Sequence, residues 1–421
     1  MCDLLHREVV LAMGCTEPGA VALCVAKCCE TLADTPEQID LYLSKNVFKN
    51  AMGVGIPGTG MIGLPIAVAM AVTAGDSSRQ LEVLNLSEHE VAVAKVWLAN
   101  HANIIHISVK DAVDKLYIEC RCVSKSHTAR SVISGKHTNF VCIERDEVSL
   151  QIPTADSGCG DSQQAAVLPS ETLTLTERLV YDFATTTPIE QLQFIREAVK
   201  FNEAASVEGL KGYGLHAGKV LMENAANDIV HTVVARTVAA SDARMDGCTL
   251  PVYSNSGSGN QGIACTLPVY EYGVCKGCDE ESITRALILT HLTSIYVKQG
   301  IGRLSALCGI VNASIGVSAG LVYLQGGSFE QISFAVKNLI NTIAGMVCDG
   351  AKPSCSLKMA TGLYSAFVSA ELACHNYVVD ATDGLSERDI DHSIHNLARL
   401  GHDGMNQTDD MVLDIMTHKQ S

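Results

Sequence analysis

From residue 171 onward the sequence leaves room for little besides helix. Candidate helices cover 188–205, 218–240, 279–298, 303–320, 329–346 and 356–377, with a weaker one at 386–400. The fifth places Ile332, Val336, Leu339, Ile340, Ile343 and Val347 on one stripe, the spacing of a helix with one face in a core. Apolar helices in such succession bury their faces only against one another, so a large helical body is expected.

The first half reads differently. Gly14-Cys15-Thr16-Glu17-Pro18-Gly19 predicts a helix start, with Thr16 as cap, Glu17 at the positive end, Pro18 in the first turn and an apolar run at 20–29 behind it. Residues 39–44 alternate like a strand, and the glycine-rich turn at 53–60 exposes backbone amides. From 80 to 145 come shorter elements: a helix near 87–100 and strands around Ile104, 116–123, 128–133 and 140–143, with a hairpin turn at Ser134-Gly135-Lys136-His137. The expected class is α+β, a large mostly α-helical catalytic domain with a smaller inserted α+β domain. Residues 1–78 are assigned to the first part of the catalytic domain, 79–165 to the insertion and its polar linker, and 166–421 to the helical cluster-binding part.

At 421 residues and 47% hydrophobic content the chain has ample material for a core, and a formal charge of −16 argues against nucleic acid and anionic lipid as partners. Uncharged runs at 55–75 and 304–328 are long enough to raise the question of a membrane span. The first is broken by Pro57, Gly58, Gly60, Gly63 and Pro65, the second by Asn312, Ser314, Gly316, Ser318 and Gly320, and neither has basic or aromatic flanking belts. Buried helices are the expectation for both. The start Met1-Cys2-Asp3-Leu4-Leu5-His6-Arg7-Glu8 lacks the basic stretch and apolar core of a secretory leader, so the seventeen cysteines point to a reducing cytoplasm, and such a load suits an anaerobic setting.

The sharpest constellation is Cys348-Asp349-Gly350-Ala351-Lys352-Pro353-Ser354-Cys355, two thiols in a loop that Gly350 and Pro353 keep from becoming helix, with Cys308 upstream. Three thiolates around one iron-sulfur cluster leave an iron free for substrate; each cysteine alone reads equally well as a small core residue. Cys275-Lys276-Gly277-Cys278 is a zinc half-site or redox pair without a second half, or a loop before a helix capped by Asp279. The loop Asn255-Ser256-Gly257-Ser258-Gly259-Asn260 precedes an apolar segment and suits a nest for a carboxylate, though such loops are commonly plain turns. Cys15 at a helix start is expected to have a lowered pKa that suits a base, a nucleophile or an iron ligand, with plain packing as the alternative. Lys211 and Lys219 read as solvated, with a substrate counter-charge or a pyridoxal phosphate Schiff base as alternatives. Cys28, Cys29, Cys120, Cys122 and Cys142 read as packing, and His392, His395 and His402 stay unassigned.

Four motifs in order, Met13-Gly14-Cys15-Thr16-Glu17-Pro18, Gly55-Ile56-Pro57-Gly58-Thr59-Gly60-Met61, Asn255 to Gly262, and Cys308 with Cys348 and Cys355, resemble the iron-sulfur L-cysteine desulfidase family, relatives of the bacterial iron-sulfur L-serine dehydratases. The resemblance implies a 4Fe-4S cluster on Cys308, Cys348 and Cys355. It also implies conversion of L-cysteine to pyruvate, ammonia and sulfide, and a catalytic Cys15. Gly14-Cys15-Thr16-Glu17-Pro18 stands where the serine enzymes carry a Ser-Ser-Ser-His-Thr run, the second cysteine pair is closer, and the tail 411–421 has no cysteine to cap the cluster. These departures favour a thiol over a hydroxyl substrate. The expected partner is a small amino acid, with a homodimer as one arrangement. The rival functions are a serine or threonine dehydratase on the same cluster, a redox sensor without turnover, and a zinc-bearing binding module.

Overall fold

The computed structural model describes residues 1–150, 174–302 and 305–418. The chain starts in what becomes the helical body: α1 (Cys2–Glu8) buries Leu4 and Leu5 there, and the two-residue β1 (Leu11–Ala12) pairs antiparallel with β10 (Val252–Tyr253). α2 (Thr16–Leu32) then carries the apolar run predicted from sequence, but its N-cap is Cys15 rather than Thr16. β2 (Gln38–Leu43), α3 (Lys45–Ala51), the small hairpin β3 (Gly55–Ile56) and β4 (Met61–Ile62), α4 (Leu64–Ala74) and α5 (Glu88–His101) follow. Ser87 and Glu90 close a capping box on α5, which fixes where that helix begins.

β5 (Ile105–Val109), β6 (Tyr117–Val123), β7 (Thr128–Ser134), β8 (Phe140–Arg145) and β9 (Val148–Ser149) complete a six-stranded sheet of order β5-β2-β6-β7-β8-β9. It is antiparallel except for the parallel β2–β5 pair. Alternation in β2 and β6 puts Ile39, Leu41, Leu43, Ile118, Cys120 and Cys122 on the face covered by α2, with α4 and α5 layered outside. Because β2 lies beside β6, the sheet takes a strand from the segment before residue 78, and the expected boundary there falls inside this layer. The expected linker over 146–170 lies outside the described residues beyond 150.

The helical body holds α6 (Glu177–Thr186), α7 (Arg196–Gly209), α8 (Ala217–Glu223), α9 (Ile229–Met245), α10 (Gly259–Lys276), α11 (Glu280–Ile301), α12 (Gly309–Leu324), α13 (Phe329–Ile343), α14 (Cys355–Cys374), α15 (Ile390–Arg399) and α16 (Asn406–Thr417). α11 and α12 form its centre, buried on nearly every side. They approach so closely that a Cβ on Gly316 would lie 2.2 Å from the Thr290 carbonyl oxygen, which accounts for the small residues of the second uncharged run. No helix among the described residues is long and apolar enough to cross a membrane. Three predicted helices are corrected: 188–205 becomes α-helix only at Arg196, after 3-10 turns at 189–191 and 193–195; 218–240 is two helices separated at 224–228, the second capped by Asp228; and of 303–320 residues 305–308 are not helical and the helix begins at Gly309, while 303 and 304 lie outside the described residues.

Candidate active site

Cys308 is the N-cap of α12 rather than part of its interior. Its N–H donates to the Met346 carbonyl (3.0 Å), the Cys348 N–H donates to the Ala306 carbonyl (2.7 Å), and Leu307 bridges Val347 between them. This short strand-like contact brings two thiols together from segments forty residues apart in sequence. Cys355 opens α14, its sulfur 3.5 Å from the Gly350 carbonyl oxygen. Gly350 has φ +89°, and a Cβ there would lie 2.1 Å from the Lys49 carbonyl oxygen, so the turn presses against α3 as only glycine can. Burial pushes the Cys308 thiol up, with Cys348 and Cys355 adding to it, while the Lys358 ammonium, paired to Asp349, opposes the rise. The sulfurs thus share one partly enclosed, cation-flanked site.

Sulfurs around one tetrahedral zinc stand about 3.8 Å apart, given a bond of about 2.3 Å. Among the described residues these three are not a set whose sulfurs all lie within 4.8 Å of one another, which fits a multinuclear group better than a single ion. The soft donors and the flanking Lys358 suit an anionic iron-sulfur cluster.

The loop from Asn255 to Asn260 adjoins this site. Ser256 (φ +50°) and Gly257 (φ +82°) turn the chain into α10, whose N-cap Ser258 accepts from the Gln261 N–H. The Ser256 N–H is engaged by the Glu8 carbonyl, leaving the first-turn amides at Gly259 and Asn260, which have no intrahelical acceptor. Asn255 is a strut: its Nδ2 donates to Nδ1 of His291 (3.0 Å), and its Oδ1 accepts from Gln261 Nε2 and Ser256 Oγ. Burial pushes His291 down to about 3, so its imidazole is neutral. Gln261 Oε1 has no hydrogen-bond partner and lies 3.0 Å from where a Cβ on Gly309 would be, next to Cys308.

Arg244, at the end of α9, was not legible as a site residue. It lies four residues past the expected end of the 218–240 helix, between Asp242 and Asp246, so in sequence it reads as an ordinary charged residue at a helix end. Its side chain is buried, with Nη2 donating to the Gly14 carbonyl (3.0 Å) and Nη1 to Asn260 Oδ1 (3.2 Å). Nε has no acceptor, and no ion pair among the described residues involves Arg244. A buried guanidinium without a carboxylate is costly unless a ligand supplies one.

Cys15 departs from expectation. Burial is the main cause that pushes its thiol well above the ordinary range, and the Glu17 carboxylate, which accepts from Sγ at 3.1 Å, pushes in the same direction. Both outweigh Arg244 and the helix terminus expected to favour thiolate. Glu17 is held by Asn50 Nδ2 (3.0 Å). A Cβ on Gly14 would lie 2.9 Å from Pro57 Cγ, and one on Gly55 would lie 2.4 Å from the Asp246 carbonyl carbon, so the first two motifs are wedged together beside Arg244. The cavity at Cys15 measures about 10 Å³, room for one water.

The remaining candidates fall elsewhere. Cys275 is exposed on the last turn of α10, Cys278 points at the Leu324 carbonyl, Lys211 pairs with Glu208, and His402 contacts Asp403.

A family model described as serine dehydratase alpha chain matches residues 78–414. The chain belongs to that family. It is also similar over 99% of its length to proteins called UPF0597: 49% identical to one from Phocaeicola vulgatus and one from Bacteroides fragilis, and 44% to one from Oleidesulfovibrio alaskensis, covering 97% of each. Membership in the serine dehydratase alpha chain family points to an iron-sulfur-dependent, dehydratase-like lyase.

Proposed function

We propose that the protein is an L-cysteine desulfidase, cleaving L-cysteine to pyruvate, ammonia and sulfide, with a 4Fe-4S cluster held by Cys308, Cys348 and Cys355. The observation that carries this reading is the pairing of three converging thiols with a buried guanidinium, Arg244, that has no carboxylate partner among the described residues. When bound, such a cluster supplies an open iron as Lewis acid toward a sulfur leaving group.

The chain's own residues do the rest. Arg244 and the first amides of α10 hold the substrate carboxylate, and the loop from Asn255 to Asn260, braced on neutral His291, fixes their positions. Cys15 handles the α-proton. The thiol, held protonated by burial and by Glu17, takes the α-hydrogen as its own proton passes to the Glu17 carboxylate, so that no free thiolate forms, a general-base contribution of about 10² to 10⁴ in rate. The small cavity at Cys15 limits water to a single molecule, which protects the proton-transfer pair.

The family description favours a second reading, an L-serine or L-threonine dehydratase on the same site. Cys15 in place of a serine-rich run supports the thiol substrate, since a soft leaving group matches iron in a sulfide cluster. Anaerobic purification with iron and sulfide counts, followed by pyruvate and sulfide assays on L-cysteine and L-serine, separates the two. Pyruvate with equimolar sulfide from L-cysteine is expected; pyruvate from L-serine alone establishes the dehydratase, and protein that is folded but free of iron sinks both.

A further inference from the structure

A second thiol set lies in the sheet layer, away from the proposed active site. Cys120 and Cys122 sit two residues apart on β6 and therefore point to the same face, the one α2 covers. Cys28, on the last turns of α2, meets them there. All three side chains are fully buried, and among the described residues theirs is the set of three metal-ligand atoms that lie within 4.8 Å of one another. The Cys120 and Cys122 sulfurs are 3.7 Å apart, close to the roughly 3.8 Å separation of thiolates on a tetrahedral zinc. A fourth thiol, Cys29, places its sulfur 4.0 Å from that of Cys122.

We propose that Cys28, Cys120 and Cys122 form a binding site for one thiophilic ion of the zinc class between α2 and β6, and that Cys29, whose sulfur stands beside Cys122 but outside that close set, completes it by swinging its side chain toward the ion. The donors come from a helix and a strand, the rigid elements a structural site needs. Binding exchanges S–H protons for metal–sulfur bonds: the Cys28 thiol, now 3.4 Å from the carbonyl oxygens of Cys120 and Ala129, gives up its proton, as do the other three, so one Zn²⁺ enters and four H⁺ leave. Cys29 is half-buried and lines a surface cleft of about 470 Å³ whose rim carries the carboxylates of Glu30 and Asp34, which attract a cation. The ion would pin α2, whose N-terminus carries Cys15, to the centre of the sheet.

The test uses the full chain, kept reduced and anaerobic, with Cys348→Ala and Cys355→Ala removing the other thiol set. Titration with Co²⁺ is expected to give a thiolate-to-cobalt charge-transfer band that saturates at one ion per chain and is displaced by Zn²⁺. Cys120→Ser is expected to abolish the band, and Cys29→Ser to weaken affinity roughly tenfold or more. Because a core substitution can prevent folding, a second measurement uses the unsubstituted protein: Zn²⁺ should slow alkylation of Cys29 about tenfold, followed by peptide mass spectrometry. A folded protein with no band, a band that survives Cys120→Ser, or Cys29 alkylation indifferent to Zn²⁺ overturns the proposal.

Discussion

Replacing Gly259 by alanine tests whether Arg244 seats the substrate. The new Cβ would lie 2.2 Å from Arg244 Nε, 2.6 Å from Cζ and 3.0 Å from Cδ, inside the distance that real contacts tolerate. Arg244 is buried and held at both terminal nitrogens, so relief requires moving the guanidinium off the Gly14 carbonyl and off Asn260. Each is a hydrogen bond from a charged donor, worth about 1.5 to 3 kcal/mol, so complete displacement costs about 3 to 6 kcal/mol. At about 1.4 kcal/mol per tenfold, kcat/KM should fall by roughly 10² to 10⁴. The assay is pyruvate release by anaerobically reconstituted protein, with iron content and thermal melting as controls for the cluster and the fold. The same substitution in an Arg244→Ala background has nothing to collide with, so the two changes should be strongly non-additive. A single Gly259→Ala variant within about threefold of the parent kcat/KM, equivalent to the usual non-coupling limit of about 0.5 kcal/mol, would refute the reasoning, as would an undiminished penalty in the Arg244→Ala background.

Other predictions concern separate parts of the molecule. Cys348→Ala should abolish both bound iron and turnover, whereas Cys15→Ala should keep the iron and lose turnover, as read by iron counts beside the pyruvate assay. Burial pushes the Glu177 carboxyl up to about 7, against Thr293 Oγ1, which donates to it at 2.7 Å; the unfolded value is about 4.3. The stability carried by its protonated form is therefore complete below about pH 4.3 and lost as pH rises through about 7, a change of about 4 kcal/mol. Urea unfolding at pH 5 and pH 8 should show this slope in the parent and a smaller one in Glu177→Gln. Ser87→Ala removes the α5 capping box and should lower unfolding free energy by about 1 kcal/mol in the same assay.

Much of the fold was legible because local chemistry decided it. Alternation marked β2 and β6 to β8, the acidic start after Ser87 marked α5, and the 332–343 stripe marked α13, where Ile332, Val336, Leu339 and Ile340 are fully buried. Errors arose where tertiary pairing overrode local pattern. Residues 303–308 carry a helical pattern, yet 306–308 pair with 346–348 and so cannot continue α12 backwards. β2 looked like part of the first domain because its partner strands lie some seventy to eighty residues downstream. The same holds for the site. Cysteine spacing pointed to Cys308, Cys348 and Cys355, but Arg244 and Glu17 gain their roles from groups far off in sequence, Gly14, Asn260 and Asn50. The expectation for Cys15 failed because a helix terminus offers a modest stabilisation that burial and one adjacent carboxylate reverse.

The β1–β10 ribbon has a consequence for biosynthesis. Ser254 hydrogen-bonds to the Val10 carbonyl across 244 residues of sequence, and the Ser256 amide is tied to Glu8. A nascent chain therefore emerges with its first dozen residues lacking their eventual partner until more than half the polypeptide has been made. The sheet layer, whose last strand ends at Ser149, can mature first, and the pocket closes only when the amino terminus is recaptured. Extensions fused at Met1 should accordingly slow the appearance of activity after refolding more than they slow the recovery of secondary structure.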